Sequence, residues 1–206
     1  IAGDLWSQIV SRVVDSSFNC VTVDGDTSTN DAFFAFSVGE PINETFVHII
    51  EEGMLQVSKY LAKSIARDGE GANCLMEIQV LGAKTNQDAK KIAKVICNSL
   101  LVKTAVHGCD PNWGRILAAA GRAGIDFNLN QVSLWIGPYQ LLDKGITLSF
   151  DKNLISSYMK ERMEGNYMQD DSICICLKVG DEVGQSIYWG CDLSDKYVKI
   201  NSEYTT

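Results

Sequence analysis

The chain has 206 residues, 46% of them hydrophobic and 21% charged, enough for one full core or two compact domains and inconsistent with wholesale disorder. Its 26 acidic side chains against 18 basic ones leave a formal charge of −8, which repels phosphate backbones and argues against a nucleic-acid partner. No 18-residue apolar span suggests a membrane segment, and seven cysteines without a CxxC pair, beside only two histidines, lack zinc-site spacing.

In chain order, Leu5, Ile9, the Arg12 stem, Val13 and Phe18 recur at helical spacing, so residues 3–16 read as helix. Residues 20–23 alternate as a short strand that feeds the polar loop DGDTSTND. Ala32 to Val38 is strongly apolar and follows Asn30 and Asp31, either of which caps a helix, so helix is favoured over strand. Thr45 to Arg67 is the longest periodic segment: Phe46, Ile49, Ile50, Leu55, Val57, Leu61 and Ile65 give a broad apolar face, and Asp68-Gly69 ends it. Residues 73–81 (NCLMEIQVL) form a strand. A second helix opens at Asn86 or Gln87 with Ala89, Ile92, Ala93, Ile96 and Leu100 inward. Lys84, Lys90, Lys91, Lys94 and Lys103, the densest basic stretch, read as a solvated helix face.

DPNWG is then a turn, and GRILAAA opens a helix whose three alanines imply close packing. Beyond residue 125 the texture changes. Val132–Ile136, Tyr139–Leu142 and Thr147–Phe150 are short strands between Gly-Pro and Lys-Gly turns, and residues 150–159 are helical. After an EGNYMQDD linker, Ile173–Val179 and Gln185–Trp189 read as a strand pair across the Gly180–Gly184 turn, with Cys174 and Cys176 on one face. Tyr197–Ile200 reads as a last strand. The fold class is α/β (α+β mixed), with a boundary dividing residues 1–124 from 125–206.

Several residues carry chemistry. Asp24, Asp26, Ser28, Asn30 and Asp31 offer oxygen ligands but lack the glycine and glutamate spacing of a calcium loop. Thr27, Ser28 and Thr29 are hydroxyls with no histidine or lysine nearby in sequence to act as base. The loop therefore reads as Asx and Ser/Thr turns, or as a substrate contact. In Asp68-Gly69-Glu70-Gly71 a carboxylate flanked by glycines stands at a helix end, open to an ammonium-bearing ligand or to water alone. His107 and Asp110 can pair to orient a base, and Arg115 can bind a carboxylate or pair with Asp110; each reads equally as structure.

DSSFNCVTVDGDTSTNDAF (15–33), ARDGEGA (66–72), LVKTAVHGCDPNWGRILAAAGRAG (101–124) and YWGCDLSDKYVKINSEYTT (188–206) together resemble the bifunctional ornithine acetyltransferase / glutamate N-acetyltransferase family of arginine biosynthesis, and within it the C-terminal β chain. The resemblance implies a DmpA/ArgJ-like layered sandwich with a smaller C-terminal α+β domain. It implies a precursor that cleaves itself before a threonine, which becomes the nucleophile of a ping-pong transfer of acetyl from N2-acetyl-L-ornithine to L-glutamate. That threonine is expected upstream of Ile1, so no catalytic residue is assigned within the chain. Glu70, Asn201 and Thr206 match the family's substrate-binding positions. Asp24, Asp26, Thr29, Asn30, Asp110 and Arg115 fall in its hallmark motifs and are expected to brace the site.

The resemblance further implies an α chain from the same precursor as partner in an α2β2 assembly. It implies no metal and no cofactor, with acetyl-CoA as an alternative donor substrate, and a cytoplasmic location, or a mitochondrial or plastid one in a eukaryote. An aminopeptidase or amidase with an N-terminal nucleophile, and a catalytically silent chain, are the alternative readings.

Overall fold

The structure is a computed structural model that describes residues 1, 3–40, 42–165 and 172–204. Its strands are β1 (Leu75–Ala83), β2 (Ser133–Ile136), β3 (Tyr139–Asp143), β4 (Ile146–Thr147), β5 (Ile173–Lys178) and β6 (Gly184–Cys191). They form one sheet in the order β4-β3-β2-β5-β1-β6. β1 and β5 run parallel, with Met76 opposite Ile173, and the other neighbours are antiparallel. Around the sheet lie α1 (Gly3–Asp15), α2 (Val47–Arg67), α3 (Asn86–Cys97), α4 (Leu100–His107), α5 (Trp113–Ala120), α6 (Lys152–Met163) and α7 (Asp195–Glu203).

The layering follows from two consecutive residues of β6, whose side chains must point to opposite faces. Trp189 faces α2, where Lys63 Nζ stands 5.9 Å from its ring. Gly190 faces α3, where an added Cβ would lie 2.5 Å from Cys97 Sγ. Helices therefore cover both faces, giving the expected α/β/α sandwich. β1 sits between β5 and β6 and is buried along most of its length, as a strand covered on both sides must be. At Gly82 (φ +76°) it bulges, and only glycine fits there, since any Cβ would collide with the Gly180 carbonyl.

Several expectations need correction. β5 and β6 are not a hairpin: β1 lies between them. The alternation at 20–23 yields one isolated parallel bridge, Val21 to Trp189, after a short 3-10 turn at Phe18–Cys20. Residues 32–38 are neither helix nor strand. Asn30 and Asp31 cap nothing, being drawn into a turn around the Ser28 hydroxyl, and Phe33 packs against Phe18 at a tilt, with ring centroids 5.1 Å apart. The third C-terminal strand shrinks to Ile146–Thr147, and Leu100 begins a separate helix, α4, behind the Ser99 N-cap. The last strand is instead the helix α7, which places Tyr197 and Asn201, four residues apart, on one face. The EGNYMQDD linker falls largely outside the described residues.

α2 holds a larger surprise. The residues it buries are the small ones, Ser58, Ala62 and Ala66, which allow close approach to the sheet. Its apolar face, Ile49, Val57, Leu61 and Ile65, is exposed, as are Phe34, Phe36 and Val38 upstream.

Candidate functional site

Three distant segments meet at α7. The DGEG turn follows directly from α2, where Asp68 is the C-cap and Gly71 adopts φ +70°. A Cβ at Gly71 would stand 2.6 Å from the Tyr197 amide nitrogen, so only glycine lets the turn rest on the start of α7. Ser194 Oγ donates to the Gly71 carbonyl at 2.6 Å and fastens that contact. One residue earlier, Glu70 Oε2 accepts a 2.6 Å hydrogen bond from Asn201 Nδ2, whose amide also donates to the Tyr197 carbonyl. This leaves Glu70 Oε1 without a hydrogen-bond partner among the described residues.

One helical turn back, Tyr197 donates its hydroxyl to Asp24 Oδ2 at 3.1 Å, while Asp24 Oδ1 accepts from the Asp26 amide at 2.9 Å. Asp24, Glu70 and Asn201 are thus joined through one helix face. Burial, the Asp24 hydrogen bond and the charges of Asp24, Glu70 and Asp26 all push the Tyr197 phenol above its ordinary value. An aminated ligand would find a local excess of carboxylate here. Because its folded pKa is raised, Tyr197 contributes stability that is present below the ordinary phenol range near pH 10 and lost as pH rises through the folded value. Alkaline absorbance titration checks this: the Tyr197→Phe variant should lack one late-ionising phenol, and unchanged late phenols would refute the shift.

Thr29 and Asn30 lie in the exposed turn organised by Ser28, whose hydroxyl donates to Asn30 Oδ1. Asp110 and Arg115 belong to the reversal between α4 and α5. Asn112 caps α5 on the Arg115 amide and donates to Asp110 Oδ2; Lys152 pairs with Asp110 at 2.9 Å. These two neighbours hold the Asp110 carboxyl below its usual range. Arg115 donates to the Leu101 carbonyl and the Thr104 hydroxyl rather than to Asp110. Thr206 lies outside the described residues.

His107 does not pair with Asp110. Its Nδ1 stands 2.8 Å from Oδ2 of Asp192, which is buried and was missed in the sequence. Asp192 also accepts from the Asn73 amide at 2.7 Å, the Cys74 amide at 3.1 Å and Asn73 Nδ2 at 2.8 Å. A carboxylate can only accept, so it fixes the imidazole proton on Nδ1, and the 3.3 Å approach of Asn73 Nδ2 to that nitrogen is a contact rather than a bond.

The solvated reading of the lysine stretch fails at Lys103, which is 1% exposed. Six of the thiols are not activated as nucleophiles: burial raises Cys20, Cys109, Cys176 and Cys191, lifts Cys74 well above its ordinary value, and pushes Cys97 to about 12. No group of three or more metal-ligating side chains exists among the described residues. A cavity of about 10 Å³ beneath α4, α5 and α6 has room for no more than a water and belongs to the core.

Comparisons with known proteins show what the whole chain is similar to. Residues 1–206 match the ArgJ family. A protein of Prochlorococcus marinus (strain NATL2A) named arginine biosynthesis bifunctional protein ArgJ is 57% identical over 202 residues, 98% of this chain and 48% of its own length. Its Synechocystis namesake is 49% identical over 208 residues, 98% of this chain and 50% of its own. The chain therefore spans about half the length of these relatives. The crystal structure of the ArgJ protein from Bacillus halodurans superposes with a TM-score of 0.91 at 35% identity, covering 99% of this chain and 95% of that one.

Proposed function

The chain belongs to the ArgJ family, and on that premise we propose that it is the β-chain part of a glutamate N-acetyltransferase / ornithine acetyltransferase of arginine biosynthesis. The observation that carries the reading is the Glu70–Asn201 hydrogen bond. It joins two of the motifs that resemble the family across 131 residues and leaves the other oxygen of this exposed carboxylate available to a substrate ammonium.

The reaction runs in two halves. A threonine supplied by the precursor outside this chain attacks the acetyl carbonyl of N2-acetyl-L-ornithine through its hydroxyl oxygen. The amide C–N bond breaks, ornithine leaves with the hydroxyl proton, and an acetyl ester remains. The amine of L-glutamate then attacks that ester, releasing N-acetyl-L-glutamate and restoring the hydroxyl. An N-terminal threonine has its own α-amine, with an ordinary pKa near ~8, to carry the proton, so no histidine base is required. Glu70 and Asn201 hold the amino-acid portion, with Thr206 as their expected companion, and Asp24 and Asp26 brace them through Tyr197.

The exposed apolar face of α2 and the aromatic stretch before it fit the remaining half of the precursor, which covers them in an α2β2 assembly. No helix among the described residues is long and apolar enough to cross a membrane, and a cytoplasmic location fits the bacterial relatives. The test is steady-state kinetics on the full precursor product. Parallel double-reciprocal lines for N2-acetyl-L-ornithine and L-glutamate are expected; intersecting lines, or no transfer, would refute the reading.

A further inference from the structure

Lys103 lies on the buried face of α4 with Val102, Ala105 and Val106, in a place where apolar packing alone would call for methionine or leucine. Burying an ammonium is expensive unless its protons are satisfied. Here Nζ donates to the Val23 carbonyl and to the Cys191 carbonyl, both at 2.6 Å, and lies 3.7 Å from Cys191 Sγ. Both main acceptors are neutral carbonyls, and Lys103 forms no ion pair among the described residues.

Its place in the backbone pattern explains it. Residues 21–22 run parallel to β6, with Val21 bridging Trp189 and the Thr22 amide donating to the Trp189 carbonyl at 3.0 Å. Two residues further along, the pairing stops and two carbonyls, those of Val23 and Cys191, converge instead. Neither can donate to the other. An ammonium between them supplies the rung the backbone cannot make.

Those two carbonyls stand immediately before Asp24 and Asp192. The DGEG turn rests on the same pair of residues: a Cβ at Gly69 would lie 2.9 Å from Cys191 Sγ and 3.0 Å from a Val23 methyl. The Leu193 amide also donates to the Lys103 carbonyl at 3.4 Å, at the entry to α7. The segments bearing Asp24, Glu70 and Asn201 thus converge around Lys103: its ammonium holds Val23 and Cys191, on which the DGEG turn rests, and its backbone carbonyl receives the entry to α7.

We propose that Lys103 is a positioning residue for the amino-acid pocket, its ammonium clamping Val23 to Cys191 so that Asp24, Glu70 and the α7 residues Tyr197 and Asn201 hold one mutual register. This rests on the reading of Glu70 and Asn201 as the pair that binds the substrate. Lys103→Met keeps the length of the side chain and removes its donors. In the full α/β protein it is expected to raise the KM for N2-acetyl-L-ornithine at least tenfold with kcat changed less than threefold. Lys103→Arg, which keeps donors for both carbonyls, should return KM to within threefold of wild type. In a Glu70→Gln background, Lys103→Met should add little, because both act on the same contact.

An unchanged KM in folded Lys103→Met, or effects that multiply in the double variant, would overturn the proposal. If the wild-type protein transfers no acetyl group, the functional reading fails, and amide hydrogen exchange then decides on Lys103 alone. Protection lost only in 23–26, 69–72 and 195–203 supports the clamp; loss spread through β1 and β6, or no loss, contradicts it. Should Lys103→Met fail to fold, the same exchange map on Lys103→Gln, which is too short to reach both carbonyls, decides by the same outcomes.

Discussion

Replacing Glu70 by glutamine is expected to raise the KM for N2-acetyl-L-ornithine by about thirty- to a hundredfold while leaving the melting temperature within about 2 °C of wild type. A hydrogen bond to a charged partner contributes about 2–3 kcal/mol, and each 1.4 kcal/mol is tenfold in affinity. The glutamine oxygen still accepts from Asn201 Nδ2, so the bond between the turn and α7 survives. What is lost is the negative charge that the carboxylate offers a substrate ammonium. Steady-state kinetics and a thermal melt on the same preparation separate the two roles. A large fall in melting temperature with KM unchanged would make Glu70 a structural tie and remove it from the substrate site.

The second large effect is on stability. Asp192→Ala removes a buried acceptor from the Asn73 and Cys74 amides, from Asn73 Nδ2 and from His107. Leaving buried donors unpaired costs about 1–3 kcal/mol for each group fully cut off from water, and breaking a buried charged network costs about 3–5 kcal/mol. For a chain of this size 1 kcal/mol shifts the melting temperature by roughly 2–4 °C, so a fall of about 10 °C is expected. Asp192→Asn, which keeps one accepting oxygen, should lose less. Differential scanning calorimetry distinguishes these outcomes, and a fall below about 2 °C in the alanine variant would show that water replaces the carboxylate.

Local pattern carried much of the architecture. The helical spacing of Leu5, Ile9 and Val13, the alternation of NCLMEIQVL, and the GRILAAA run each became the expected element, because near-neighbour sterics and burial set them. Strand order was not legible. A glycine turn between two apolar runs signals a hairpin, and only the distant β1 inserting between β5 and β6 defeats that signal. The YVKI alternation misled in the same way: Val198 and Ile200 are exposed, and Tyr197 is placed by a helical contact to Asp24 that spans 173 residues.

The site was partly legible for the same reason. Glu70 between two glycines at a helix end is a local feature, and the structure keeps it. Asp192 carried only a weak signal, an acid closing an apolar strand in GCDLS. Lys103 carried a better one. Helical spacing places it three residues from Val106 on an apolar face, where a solvated lysine does not belong. Grouping it with Lys90 and Lys94 by charge alone hid that, although Lys90 itself pairs with Asp15 at the surface. The apolar face of α2 is legible in the sequence, but its orientation is not: the helix turns the small residues Ser58, Ala62 and Ala66 to the sheet and leaves Ile49, Val57, Leu61 and Ile65 exposed.

The central claim is that this chain helps hold an amino acid whose acetyl group passes through a covalent intermediate. Intact-mass spectrometry of the full α/β protein, mixed briefly with N2-acetyl-L-ornithine and then with L-glutamate, tests it most directly. The account predicts one acetyl group on the chain that carries the nucleophilic threonine, lost when glutamate is added, and accumulating far more slowly in Glu70→Gln at subsaturating substrate. A correctly processed protein that turns over substrate without ever carrying acetyl, or a Glu70→Gln variant that acquires it at the wild-type rate, would contradict the account.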